Sequence, residues 1–140
     1  LRFGMVLAAE GGALAKMLPV FRIGLGGRLG DGRQWLSWIA LEDAVGAILH
    51  ALTESRCQGP MNVVAPEPVL NVEFSTILGR VLRRPTLLPT PAWALRLAFG
   101  RMADEALLAS TRAEPKRLLA TGYEFRQPSL EGALRATLKR

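Results

Sequence analysis

Five glycines fall between Gly24 and Gly32 of the stretch FRIGLGGRLGDGRQWLSWI, and Arg33, Gln34, Trp35 and Trp38 follow at once. Glycines at this density often cradle a phosphate, because a backbone without Cβ lets its amides approach an anion closely. A dinucleotide-binding loop needs glycines at i, i+2 and i+5, between a strand and a helix N-terminus. Gly24 and Gly26 supply the first two, but Leu29 stands at the third position and the glycine comes one residue late, at Gly30. The segment also leads into the extended-looking WLSWI rather than into a helix, and no Gly-Lys-Ser/Thr triplet marks a P-loop. What remains is a pair of forked donors, Arg33 and Gln34, suited to an anionic or polar group, beside the flat faces of Trp35 and Trp38. These four are candidate substrate-binding residues lining a cleft. The same residue types also fit a surface hairpin whose tryptophans pack into the core, and both readings stand at this point.

Few other residues carry chemistry. His50 is the single histidine and has no cysteine at ligand spacing, so no metal site is expected. Cys57 follows a helix-like run in SRCQGP, with no identifiable base to activate its thiol. ASTRAEPKR, from Ala109 to Arg117, combines hydroxyls and bases that suit an anion at a helix start, and suits a solvated turn better.

Positioning such residues is the work of one domain, which 140 residues can fold around a real core. No apolar run approaches the roughly 18 residues a membrane helix needs. No secretory signal is evident, and the lone cysteine fits a reducing compartment, so the expected location is the cytoplasm. Charge is uneven: 6 basic and 7 acidic residues up to Gly79, then 12 basic and 5 acidic from Arg80 onward. The arginines of the second half are scattered and no aromatics interleave with them, so nucleic acid is not the expected partner.

Arg2 to Ala8 reads as a buried strand, and Gly11 to Phe21 as a short helix stopping near Pro19. Trp35 to Leu41 reads as extended. Leu41, Ala44, Val45, Ile48, Leu49 and Leu52 then mark one face of the clearest helix in the chain, with Glu42 and Asp43 in its first turn. Pro60 to Pro66 reads as a strand. Asn71 reads as the N-cap of a helix that carries Phe74, Ile77, Leu78, Val81 and Leu82 and ends at Pro85, and Thr86 to Pro89 as a short strand. Pro91 to Gly100 and Pro115 to Gly122 each show proline first and glycine last. Ser129 caps a final helix. Strands and helices mix in the first half and helices dominate the second, which predicts an α/β fold with few short strands and flanking helices.

The order of GLGGRLGDGRQW, SWI, GPMNVVAPEPV and the terminal GYEFRQPSLEGAL resembles the C-terminal half of the epimerase-like extended short-chain dehydrogenase/reductases, known as epimerase family or sugar nucleotide epimerase proteins. The resemblance covers essentially all 140 residues. It implies a single substrate-binding domain over residues 1–140, with the Rossmann cofactor domain, its glycine fingerprint and the catalytic Tyr-x-x-x-Lys lying upstream of Arg2. Tyr123 is the only tyrosine and Gln127, not lysine, stands four residues on, so no residue here takes a catalytic role. NAD(P) is implied for the complete protein, a small molecule as its substrate, and no cofactor for this chain alone. Phe3 and Gly4 are the residues implied to approach the nicotinamide. Two positions depart from the family: Ala40 stands where a histidine is usual, and Leu36 where sugar-nucleotide epimerases carry an arginine for the substrate pyrophosphate. The expected partners are the Rossmann half or a second copy in a dimer or swapped oligomer. A non-catalytic interaction or oligomerisation module is the alternative, and a basic nucleic-acid-binding domain a more distant one.

Overall fold

The computed structural model describes residues 1–29, 31–100, 110 and 112–139. Gly30 of the glycine-rich stretch, and Ala109 and Thr111 of the Ala109 to Arg117 segment, lie outside the described residues. The fold is α/β, with short strands and flanking helices as the sequence predicts.

The first strand is broken by Gly4 into β1 (Arg2–Phe3) and β2 (Met5–Leu7). β1 runs parallel to β5 (Asn62–Val63), with Arg2 opposite Asn62. Beyond this point the two runs part, and β4 (Trp38–Ala40) enters between them. β2 pairs with β4 in parallel, Met5 opposite Trp38 and Leu7 opposite Ala40. Met5 N donates to the Ser37 carbonyl at 2.8 Å, and Ala65 N donates to the Trp38 carbonyl at 2.6 Å, so β4 is held on both flanks. Gly4 sits where the runs part. A Cβ there would lie 2.6 Å from the Ser37 carbonyl oxygen and 2.9 Å from Val64 Cγ1, so only a glycine fits without moving backbone. β3 (Trp35–Leu36) forms a separate antiparallel pair with β6 (Val69–Leu70).

Helix α1 (Gly12–Arg22) packs on β2 and buries Leu14, Met17, Leu18 and Phe21. It does not stop at Pro19. Buried Leu18 and Phe21 flank the proline, and their packing carries the helix one turn further. α3 (Asn71–Leu82) and α6 (Leu130–Leu138) pack against each other and complete the larger core with Leu7, Trp38, Phe74, Leu78 and Leu134. Ser129 caps α6 as expected, its Oγ accepting from Gly132 N at 3.2 Å. α3 differs from expectation at both ends. Leu70 holds the N-cap position, and the helix ends at Arg83 in the left-handed conformation, two residues before Pro85. Among the described residues no strand forms over Thr86 to Pro89. α4 (Ala92–Phe99) and α5 (Lys116–Ala120) fall within the two predicted proline-to-glycine segments.

Helix α2 (Leu41–Thr53) forms where the periodicity places it, but of the predicted stripe only Ala44 is buried. Asp43, Ala44 and Ala47 are buried in it, Ala44 and Ala47 in a second core with Ile39, Met61, Val63 and Leu118. The large side chains of the stripe point away from that core: Leu41, Val45 and Ile48 are exposed, Leu49 is 59% exposed and Leu52 78%. Small residues let the helix lie close to the sheet, and the bulky face is left outside. Full burial of a Val, Leu or Ile side chain contributes about 1.5–3 kcal/mol, so this face holds much unrealised stabilisation.

The fork at Gly4 generates a stability prediction. Gly4→Ala forces a methyl group onto the Ser37 carbonyl, and urea denaturation is expected to show a loss of about 1–3 kcal/mol relative to the unsubstituted chain. Unchanged stability would mean that the strands part without needing the close contact.

Candidate functional site

The glycine-rich loop is stitched to its own chain. The Gly27 carbonyl accepts from Ser75 Oγ and Thr90 Oγ1, both at 3.0 Å. Leu29 N donates to Asn71 Oδ1 at 2.6 Å, so the Asn71 side chain anchors this loop instead of capping α3. Asn71 N in turn donates to the Gln34 carbonyl, and Val72 N to the Gly32 carbonyl. Added Cβ atoms would strike the Phe21 ring at Gly26 and the Leu88 carbonyl at Gly27, and Gly32 holds a φ of 71°. The close approach that these glycines permit is therefore to α1, α3 and the segment around Leu88, which places the loop rather than cradling a ligand.

Along the extended segment that follows, successive side chains alternate faces. Leu36 and Trp38 share the core face. Trp38 is 1% exposed and donates from its indole Nε1 to the Glu67 carbonyl at 2.9 Å. The expectation that Trp38 lines a cleft is corrected: three residues from Trp35, it must face the other way, and the core takes it. Leu36 packs against the same core. Trp35 and Ser37 face the opposite side, toward the segment that begins at Ser110. There Trp35 N donates to Ser110 Oγ at 3.1 Å, and the Arg112 guanidinium lies over the Trp35 ring, 4.6 Å from its centroid, a cation–π contact. Ser37 Oγ accepts from Ala113 N at 2.9 Å.

Ser37 is thus a joint. Its carbonyl meets Gly4 and Met5 on one side and its hydroxyl meets Ala113 on the other. Gly4 is brought into one neighbourhood with Trp35 and Arg112 through it, and half-exposed Phe3 precedes Gly4 in β1, opposite Val63. Arg33 is exposed, with its N–H on Asp31 Oδ1 at 3.0 Å. The Gln34 side chain donates to the Leu29 carbonyl at 3.0 Å and helps to shape the loop. Sequence reasoning missed Arg112, Ser110 and Ser37 as members of this group. The signal available was the Ala109 to Arg117 cluster of bases and hydroxyls, whose place beside Trp35 is a long-range fact.

A second feature ties the C-terminal segment down. Asp43, fully buried, accepts from the Tyr123 hydroxyl at 2.8 Å and from the backbone N–H groups of Arg126 and Gln127 at 2.9 Å each. Gly46 leaves room for that phenol, since a Cβ there would stand 2.5 Å from its oxygen. His50 Nε2 lies 2.9 Å from Thr121 Oγ1, and its ring leans on Tyr123 at 5.6 Å. Cys57 Sγ is 3.5 Å from the same threonine oxygen. These groups serve the junction of α2 with residues 118–127. A cleft of about 520 Å³ opens at the carboxyl ends of β2 and β4, lined by Ala8, Glu10, Ala40, Gln127, Ala136 and Lys139 among others.

Burial first, and the Asp43 carboxylate second, push the Tyr123 phenol well above its ordinary value of 10.0. A raised folded-state value means that the stabilisation is fully present below pH about 10 and is lost as pH rises beyond it. Tyr123 is the only tyrosine, so the ultraviolet phenolate band reports it directly. The expected midpoint lies above that of the urea-unfolded chain, and Asp43→Ala lowers it part of the way. Coincident folded and unfolded titrations would contradict the buried pairing.

Comparisons with known proteins agree with this fold. Residues 90–137 match a domain of unknown function, DUF1731. The chain is 47% identical over 133 residues to the epimerase family protein ML0860 of Mycobacterium leprae, covering 95% of this chain and 43% of that protein. It superposes on a crystal structure of the human epimerase family protein SDR39U1 (isoform 2) with NADPH at a TM-score of 0.87 and 39% identity, over 99% of this chain and 47% of that one. A nucleoside-diphosphate sugar epimerase from Corynebacterium glutamicum gives a TM-score of 0.71 at 32% identity, over 99% of this chain and 25% of that one. The chain spans a little under half the length of the curated relatives it matches, 43% of ML0860 and 46% of human SDR39U1.

Proposed function

Because the chain is homologous to the C-terminal portion of the epimerase family proteins, we propose that it is the substrate-binding portion of an NAD(P)-dependent epimerase or reductase acting on a small molecule, inactive by itself. The observation that carries this reading is the meeting of Gly4, Trp35 and Arg112 around Ser37 in a chain that superposes almost end to end on a relative crystallised with NADPH.

In this reading the Trp35 ring and the Arg112 guanidinium form one face of the substrate cleft, apolar and cationic together, with Arg33 at its mouth. An anionic or strongly polar substrate group is the natural occupant, held by charge-assisted hydrogen bonds. Leu36 is turned into the core and offers no such donor. The residues present do not suffice for the cofactor. The Cα face of Gly4 is filled by Ser37 and Val64, the glycine-rich loop is engaged by its own chain, and Phe3 keeps an exposed ring for a nicotinamide to rest against. The pyrophosphate cradle and the acid–base pair belong to a cofactor-binding half that these 140 residues do not contain. No step is therefore assigned to a residue of this chain beyond binding and orienting the substrate.

The test joins the N-terminal portion of the Mycobacterium leprae relative to this chain and follows NADPH oxidation over a panel of aldehydes, ketones and nucleotide sugars. Turnover of at least one is expected, with kcat/KM lowered about tenfold or more by Trp35→Ala or Arg112→Ala while NADPH affinity is unchanged. A folded fusion that binds no NADPH, or variants with full activity, would overturn the reading.

A further inference from the structure

We propose that the cleft at the carboxyl ends of β2 and β4 is a second binding site, for a free α-amino acid with a large apolar side chain. It lies apart from the Trp35–Arg112 face. Trp35 opens the extended segment and Ala40 closes it, a separation on the order of 16 Å.

The floor of the cleft is made of small side chains. Ala8 and Ala9 follow β2, Ala40 ends β4, and Ala133 and Ala136 come from α6. Ala40 and Ala133 are buried members of the larger core, so the bottom of the cleft is core surface left uncovered. Interiors pack at close to crystal density, and five methyl groups fall short of filling the space between a sheet end and a helix. The walls are held apart by their own contacts. Leu7 and Ala40 are partners in the ladder, α6 is packed on α3 and capped by Ser129, and Gln127 N is fixed on Asp43 Oδ2 at 2.9 Å. An opening of about 520 Å³ with an apolar floor and a few polar groups at its edge has the size and lining of a small-molecule site.

The mouth selects the head group. Glu10, Glu42 and Lys139 line it and are exposed, and among the described residues none of the three forms an ion pair. Charges of both signs are thus offered separately across one opening. A simple cation would meet two carboxylates but also the Lys139 ammonium, and a simple anion would meet that ammonium against two carboxylates. A molecule carrying both an ammonium and a carboxylate satisfies all three, while its apolar side chain lies on the alanine floor.

Titration of the 140-residue chain with L-phenylalanine, followed by amide chemical shifts, tests the site. Saturation is expected with a Kd of about 1 mM or tighter, with shifts at Ala8, Glu10 and Ala136. Phenethylamine, which lacks the carboxylate, and N-acetylphenylalanine, which lacks the ammonium, are each expected to bind at least tenfold more weakly. Lys139→Gln is expected to weaken phenylalanine at least fivefold and to leave phenethylamine unchanged. Ala136→Leu, at an exposed position, fills the floor and is expected to abolish binding, and Ala9→Leu does the same from the opposite wall. No saturation up to about 20 mM, or binding indifferent to both filled variants, overturns the proposal. Phenethylamine binding as tightly as phenylalanine also overturns it, in favour of a site for simple cations. The fusion with the N-terminal portion of the Mycobacterium leprae relative is expected to keep the affinity of the chain alone. Loss of binding there would overturn the proposal by showing that the other half covers the cleft.

Discussion

The close contact between Gly4 and the Ser37 carbonyl is the constraint on which the rest of the structure turns. At that point two parallel runs that begin as neighbours separate and admit β4 between them. The fork orients β4 so that Trp38 and Leu36 enter the larger core, Ile39 enters the smaller one, and Trp35 and buried Ser37 are turned toward the segment around Arg112. The direction of α2 follows, since it starts directly from Ala40 at the end of β4. A side chain at position 4 disturbs both the sheet and the joint that gathers the candidate site, which makes one glycine matter more than the five of the loop.

Glycine-rich loop and C-terminal segment are held by two separate buried polar anchors. Asn71 holds the loop to the start of α3, and Asp43 holds residues 123–127 to the start of α2. Both side chains are almost wholly buried, and their hydrogen-bonding capacity is met by groups far away in sequence. Leaving such groups unpaired in the interior costs more than the bond itself contributes, so each anchor fixes one arrangement of its loop. Trp35 and Arg112 thereby meet on segments that neither could position alone.

The order and extent of most helices were legible because caps, prolines and periodicity are local signals. Ser129, Gly100 and Gly122 all mark the ends that they promise. Periodicity said that α2 has an apolar face, but not which body covers it. The inward face was chosen by Asp43 meeting Tyr123, 80 residues away, which no local pattern encodes. The opposite orientation of Trp35 and Trp38 was available from the two-residue period of an extended chain, and grouping them by residue type concealed it. Pro19 within α1 shows tertiary packing overriding a local breaker. Arg112 joined the site through a long-range fold, beyond the reach of spacing.

A calorimetric titration of the 140-residue chain with NADPH and NADH, at near-physiological salt, tests most directly whether the chain is a substrate-side portion that leaves the cofactor to another part. The account predicts no heat beyond dilution, because the Cα face of Gly4 is filled by Ser37 and Val64 and the glycine-rich loop is occupied by its own chain. Saturable binding in the micromolar range would contradict it and place a complete dinucleotide site within these residues.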